Sequence, residues 1–158
     1  MSAKILSIAS IFIKLLKLVL NFIALLLYRL GYDGMFLGVG GTWNINENKD
    51  PSAEVFASGI MVGYLVYTCI SLVGMCLHQP KTITDVIMNF IGLFVWMAVG
   101  AIAIHYWMGY QSEYKYIHMS TEKQKGLAVG ALCVLSGTAY LLDTVVSFLS
   151  YAAAKNKY

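Results

Sequence analysis

Four long apolar runs, at about residues 5–30, 53–77, 83–109 and 126–151, constrain this chain more than any other feature. A bilayer core requires about 20 predominantly apolar residues per helix, and each run meets that length. With 59% hydrophobic and 12% charged residues over 158 positions, too little polar surface exists for a soluble globule. The expected fold is therefore an all-α membrane protein, a four-transmembrane-helix bundle forming one domain over residues 1–158. Two outer loops, 31–52 and 110–125, join its helices on one side.

Orientation follows from the lysines. Lys4, Lys14 and Lys17 precede or enter the first run, Lys81 follows the second, and Lys155 and Lys157 follow the fourth. That side is expected to be cytoplasmic, with both termini on it. The opposite side also carries Arg29, Lys49, Lys115, Lys123 and Lys125, so the first helix decides the reading. The first run lacks a small-x-small cleavage pattern and is expected to be a retained span. The net charge of +3 then describes anchoring at lipid headgroups, with no nucleic-acid partner implied.

Two spans carry polar residues that lipid would penalise. Lys14, Lys17 and Asn21 are spaced i, i+3, i+7 and share one face of the first helix. Lys14 alone is close enough to the headgroups to snorkel, whereas Lys17 lies deeper. In the fourth span Asp143 shares a face with Ser136, Tyr140 and Ser147. A buried acid on a membrane helix normally faces the bundle interior and finds a partner. Counting depth from each span's middle predicts that Asp143 pairs with Lys17, or failing that Lys14, with Asn89 near the same level.

Small residues recur at helix-packing spacing. Gly59-x-x-x-Gly63 lies in the second span and Gly126-x-x-x-Gly130, then Gly137, in the fourth; Asn89, Gly92, Trp96, Gly100 and Ala103 line one stripe of the third. Such residues let backbones approach closely, either within one chain or between copies in a homo-oligomer. The three cysteines, Cys69, Cys76 and Cys133, lie inside spans and read as small apolar packing residues. The outer loops therefore have no disulfide of the kind that staples claudins and tetraspanins.

The segment at 28–44, YRLGYDGMFLGVGGTWN, departs from helical character. Its glycines permit turning, and Tyr32, Phe36, Gly40, Gly41 and Trp43 make it the expected partner-binding loop. The plainer alternative has Trp43 packing on the outer ends of its own helices. Chemistry finds little support: His78, His105 and His118 are spread over both membrane sides, no nucleophile elbow is present, and the glycines at 38, 40 and 41 lack the flanking strand of a nucleotide loop. No catalytic, cofactor or metal site is expected. The competing class is a small oligomeric channel or transporter subunit with a polar path through Lys17, Asn89 and Asp143.

The chain resembles the Snakeskin family of four-span membrane proteins of insect smooth septate junctions. The resemblance rests on FIKLLKLVLN, LYRLGYDGMFLGVGGTWN, GYLVYT, IMNFIG, HYWMGY and YLLDT, which are distributed over most of the chain. It implies a non-enzymatic protein at the lateral cell-cell junctions of gut-type epithelia. There it would seal the paracellular route with the membrane protein Mesh and a tetraspanin. The family supplies no catalytic residues.

Overall fold

A computed structural model describes residues 3–31, 51–77, 82–109 and 119–155. They form four helices: α1 Ala3–Gly31, α2 Pro51–Cys76, α3 Ile83–Gly109 and α4 Met119–Lys155. Each is long and apolar enough to cross a membrane, and no strand occurs among the described residues. The partner-loop residues Tyr32, Phe36, Gly40, Gly41 and Trp43 lie outside the described residues.

Helix ends follow local sequence. Pro51 opens α2, where a missing N–H costs nothing. Thr82 caps α3 reciprocally: the Asp85 N–H donates to Thr82 Oγ1 at 3.3 Å, and the Thr82 N–H donates to Asp85 Oδ2 at 3.1 Å. Helix α4 starts at Met119 and not at Gly126, because the intervening Glu122, Lys123, Gln124 and Lys125 favour helix although they end the apolar run. Its 37 residues span about 55 Å, well beyond a hydrocarbon core of about 30 Å. The Lys123 ammonium donates to the Met108 carbonyl at 3.2 Å, joining the first turns of α4 to the end of α3.

The helices are arranged as a ring in which α4 packs most extensively on α3, then on α1, while α2 touches α1 and α3 more lightly. On α1 the buried positions Lys14, Lys17, Asn21, Ala24 and Tyr28 alternate by three and four. Ala57, Met61, Tyr64 and Thr68 do the same on α2, as in the seams of left-handed bundles. The outward faces are apolar, with Ile8, Phe12, Phe22, Phe94 and Phe148 exposed to what would be lipid.

The glycines divide sharply. A Cβ placed on Gly92, Gly100, Gly126, Gly130 or Gly137 would collide with a neighbouring helix, so these five mark close approaches. Gly59, Gly63 and Gly74 have nothing within 4 Å, which corrects the expectation that Gly59 and Gly63 pack helices within the chain. The reason is phase: Tyr64 and Thr68 turn their own face of α2 inward, which leaves both glycines on the outside. Cys69 and Cys76 are likewise exposed, and only Cys133 serves as a core residue.

Candidate functional site

Among the described residues nine polar or charged side chains are buried, and most converge on one cluster built by all four helices. At its centre the Asp143 carboxylate takes both lysines on a single oxygen. Lys17 Nζ is 2.5 Å from Oδ2 and Lys14 Nζ is 3.0 Å away, every partner being 0% exposed. Lys17 also donates to Asn89 Oδ1 at 2.8 Å, and its ammonium lies 4.2 Å from the centre of the Tyr140 ring. Ser147 Oγ donates to Asp143 Oδ1 at 3.4 Å. The cluster therefore joins two amines to one acid, and not the single pair that charge counting suggests.

One turn nearer the start of α4, Tyr140 connects the other helices. Its ring meets Tyr64 edge-on at 5.2 Å and stacks with Trp96 at 6.4 Å, and it fills the space that Gly92 leaves open. Its hydroxyl joins a set of hydrogen bonds between α1, α4 and α2. The Thr68 hydroxyl donates to the Tyr64 carbonyl at 2.7 Å, and the Tyr140 hydroxyl has two acceptors beside it, Thr68 Oγ1 at 2.7 Å and the same Tyr64 carbonyl at 3.5 Å. Tyr140 Oη in turn accepts from Asn21 Nδ2 at 3.0 Å. Tyr64 and Tyr67 add bonds to the carbonyls of Met88 and Asp85, at 3.3 and 3.5 Å, tying α2 to the start of α3.

The expected polar set Lys17, Asn89 and Asp143 is thus brought together, with Lys14 as a full member. Sequence reasoning missed Tyr64 and Thr68; the available signal was a hydroxyl one turn from a tyrosine on an apolar helix. Beyond Tyr140 and Trp96, toward the start of α4, the buried residues include the apolar Ala24, Val99, Ala103, Cys133 and Trp107, followed by Tyr28 and Tyr106. Where α1 ends and α2 begins, Tyr28 Oη donates to Glu54 Oε2 at 3.2 Å, so the two helix ends are held together.

Tyr140→Phe keeps the ring and removes only the hydroxyl. It strands the Asn21 amide and removes the contact with Thr68, and should lower stability by about 1–3 kcal/mol. Thermal unfolding in detergent measures this, and an unchanged midpoint would mean that the chain of bonds contributes nothing.

Against known proteins, the chain is 54% identical over 149 residues to a Bombyx mori protein named Protein snakeskin, covering 92% of this chain and 94% of the relative. It is 45% identical over 155 residues to the Drosophila melanogaster Protein snakeskin, covering 96% of each. No family model and no solved structure matches.

Proposed function

The chain belongs to the Snakeskin family, and from that premise we propose that it is a structural, non-enzymatic protein of smooth septate junctions. In this reading it resides at the lateral cell-cell contacts of gut-type epithelia, its termini facing the cytoplasm. It contributes to the paracellular barrier by associating with other junction membrane proteins, among them Mesh and a tetraspanin, and with further copies of itself.

The observation that carries this reading is a bundle that spends its polar residues on internal bonding. Lys14, Lys17 and Asp143 sit at 0% exposure and bond one another, as in a scaffold that holds a fixed shape. The rival reading, a channel subunit with a path through Lys17, Asn89 and Asp143, meets the apolar tier of Val99, Ala103 and Cys133 beyond Tyr140. The Tyr28–Glu54 bond gathers the ends of the first outer loop, which supports that loop as the presented element.

Trp43→Ala tests the assignment of recognition to that loop, because a truncated aromatic anchor typically costs about 2 kcal/mol or more at an interface. The variant should reach the cell surface yet fail to concentrate at contacts, with dye leakage across the epithelium. Normal accumulation at contacts would assign recognition elsewhere. Intracellular retention would mean that Trp43 packs on its own bundle. Ion flux through the purified protein in liposomes would favour the channel reading instead.

A further inference from the structure

Helix register places Tyr106 and Trp107 beyond the ends of two of the four helices. Lys17 is level with Asn89, and both Asn21 and Gly92 meet Tyr140 one turn on, so α1 and α3 run in the same direction. Gly31 at the end of α1 therefore comes about level with Ala103. Tyr64 reaches the Met88 carbonyl and α2 runs the opposite way, which brings Pro51 about level with Ala101. Tyr106 and Trp107 thus stand about 5–9 Å past the last turn of α1 and the first turn of α2. Both are nonetheless buried, at 5% and 2% exposure.

Among the described helices only α4 continues alongside α3 at this level, where Trp107 lies against Gly126 and Lys123 bonds the Met108 carbonyl. One neighbouring helix covers one side of α3. Consecutive residues point about 100° apart, and Tyr106 continues the inward row of Val99 and Ala103, over the ends of α1 and α2. Its ring meets Trp107 edge-on at 5.9 Å, and the rest of it needs a cover that the four helices do not supply. Besides the Tyr28–Glu54 bond, Tyr28, Ser52, Glu54, His105, Tyr106 and Trp107 all take part in further polar or ring interactions.

Two segments begin at this end of the bundle, 32–50 and 110–118, and both lie outside the described residues. The shorter one departs from Gly109 and returns at Met119, on the two helices that already stand higher. The longer one departs from Gly31 and returns at Pro51, directly beside the ledge, with the helix ends that carry it drawn together by the Tyr28–Glu54 bond. It also has the apolar side chains that such a surface would take, Tyr32, Phe36, Leu37, Val39 and Trp43. We infer that Tyr106 and Trp107, standing on α3 past the ends of α1 and α2, form an apolar seat on which residues 32–50 of the same chain dock. The seat concerns contacts within one chain, so it does not rest on the junction reading.

The test uses the full chain in lipid nanodiscs with a photoreactive side chain, p-benzoylphenylalanine, in place of Tyr106. Irradiation followed by peptide mapping of the monomer should join position 106 to a residue within 32–50 of the same chain. The same probe in place of Met108, which is 65% exposed, should give at least tenfold less of that product. Products confined to 110–118, to the helices or to a second copy overturn the proposal. A second measurement needs no bulky probe: Tyr106→Ala should speed proteolytic cleavage within 32–50 at least fivefold while the melting midpoint of the helices is kept. Cleavage at an unchanged rate also overturns the seat.

Discussion

Asp143→Leu should be the most damaging single polar substitution in the chain, because it leaves two ammonium groups in the bilayer interior without their shared carboxylate. Removing one partner of a buried ion pair costs about 3–5 kcal/mol, and here one change strands two partners. The lysines should differ. Lys17→Met also deprives Asn89 Oδ1 of its donor and Tyr140 of its cation, whereas Lys14 has Asp143 as its hydrogen-bonding partner. Lys14→Met should therefore be the mildest of the three, leaving a neutral Lys17–Asp143 pair. The decisive comparison is between combinations. Lys17→Leu with Asp143→Leu still leaves Lys14 without a carboxylate, so this double variant should recover folded yield only in part. Adding Lys14→Leu removes the last charge and should recover most of it, since a buried ionic group replaced whole by apolar residues is often neutral. Monodisperse yield after detergent extraction ranks the variants. A triple variant no better than Asp143→Leu alone would mean that the carboxylate acts through something other than the two lysines.

The existence of this cluster was legible in the sequence, but its composition was not. Three polar residues at i, i+3, i+7 on one span and an acid on another can hardly face lipid, so their meeting is an electrostatic necessity. Depth counting, however, resolves only about one turn, and Lys14 and Lys17 differ by less than that. Whether one or both reach Asp143 depends on side-chain length and helix rotation, which span limits do not encode. The same limit explains the glycines of α2. Gly-x-x-x-Gly spacing marks a face without saying whether that face turns inward, and rotation of α2 is set by what its other side bonds. Tyr64 and Thr68 reach Met88 and Tyr140, and that fixes Gly59 and Gly63 outside. The segments carrying the family resemblance fare better as structural signals: FIKLLKLVLN, GYLVYT, IMNFIG and YLLDT each supply residues to the polar core. HYWMGY supplies Trp107, which rests against Gly126.

That contrast between inward and outward glycines yields the second large effect. Where α3 crosses α4, Gly100 and Gly130 face each other so closely that a Cβ on Gly100 would lie 3.0 Å from the Gly130 carbonyl oxygen. A Cβ on Gly130 would lie 2.7 Å from Ile104 Cγ1 and 3.2 Å from the Ile104 backbone nitrogen. A flexible side-chain tip can move aside; a backbone atom in the largest helix contact of the bundle cannot without shifting the helix. Gly130→Leu should therefore separate α3 from α4 and cost at least the roughly 1–3 kcal/mol typical of overpacking, with Gly130→Ala intermediate. Gly63→Leu inserts the same side chain where nothing lies within 4 Å, and should leave the isolated bundle intact or slightly firmer, leucine being the better helix former. Ile102, which the apolar pattern would offer as a lipid-facing control, is unsuitable because it packs against the core. Melting in detergent should show a large drop for Gly130→Leu and none for Gly63→Leu. Equal losses at the two positions would place α2's glycines at a helix contact and refute the outward assignment.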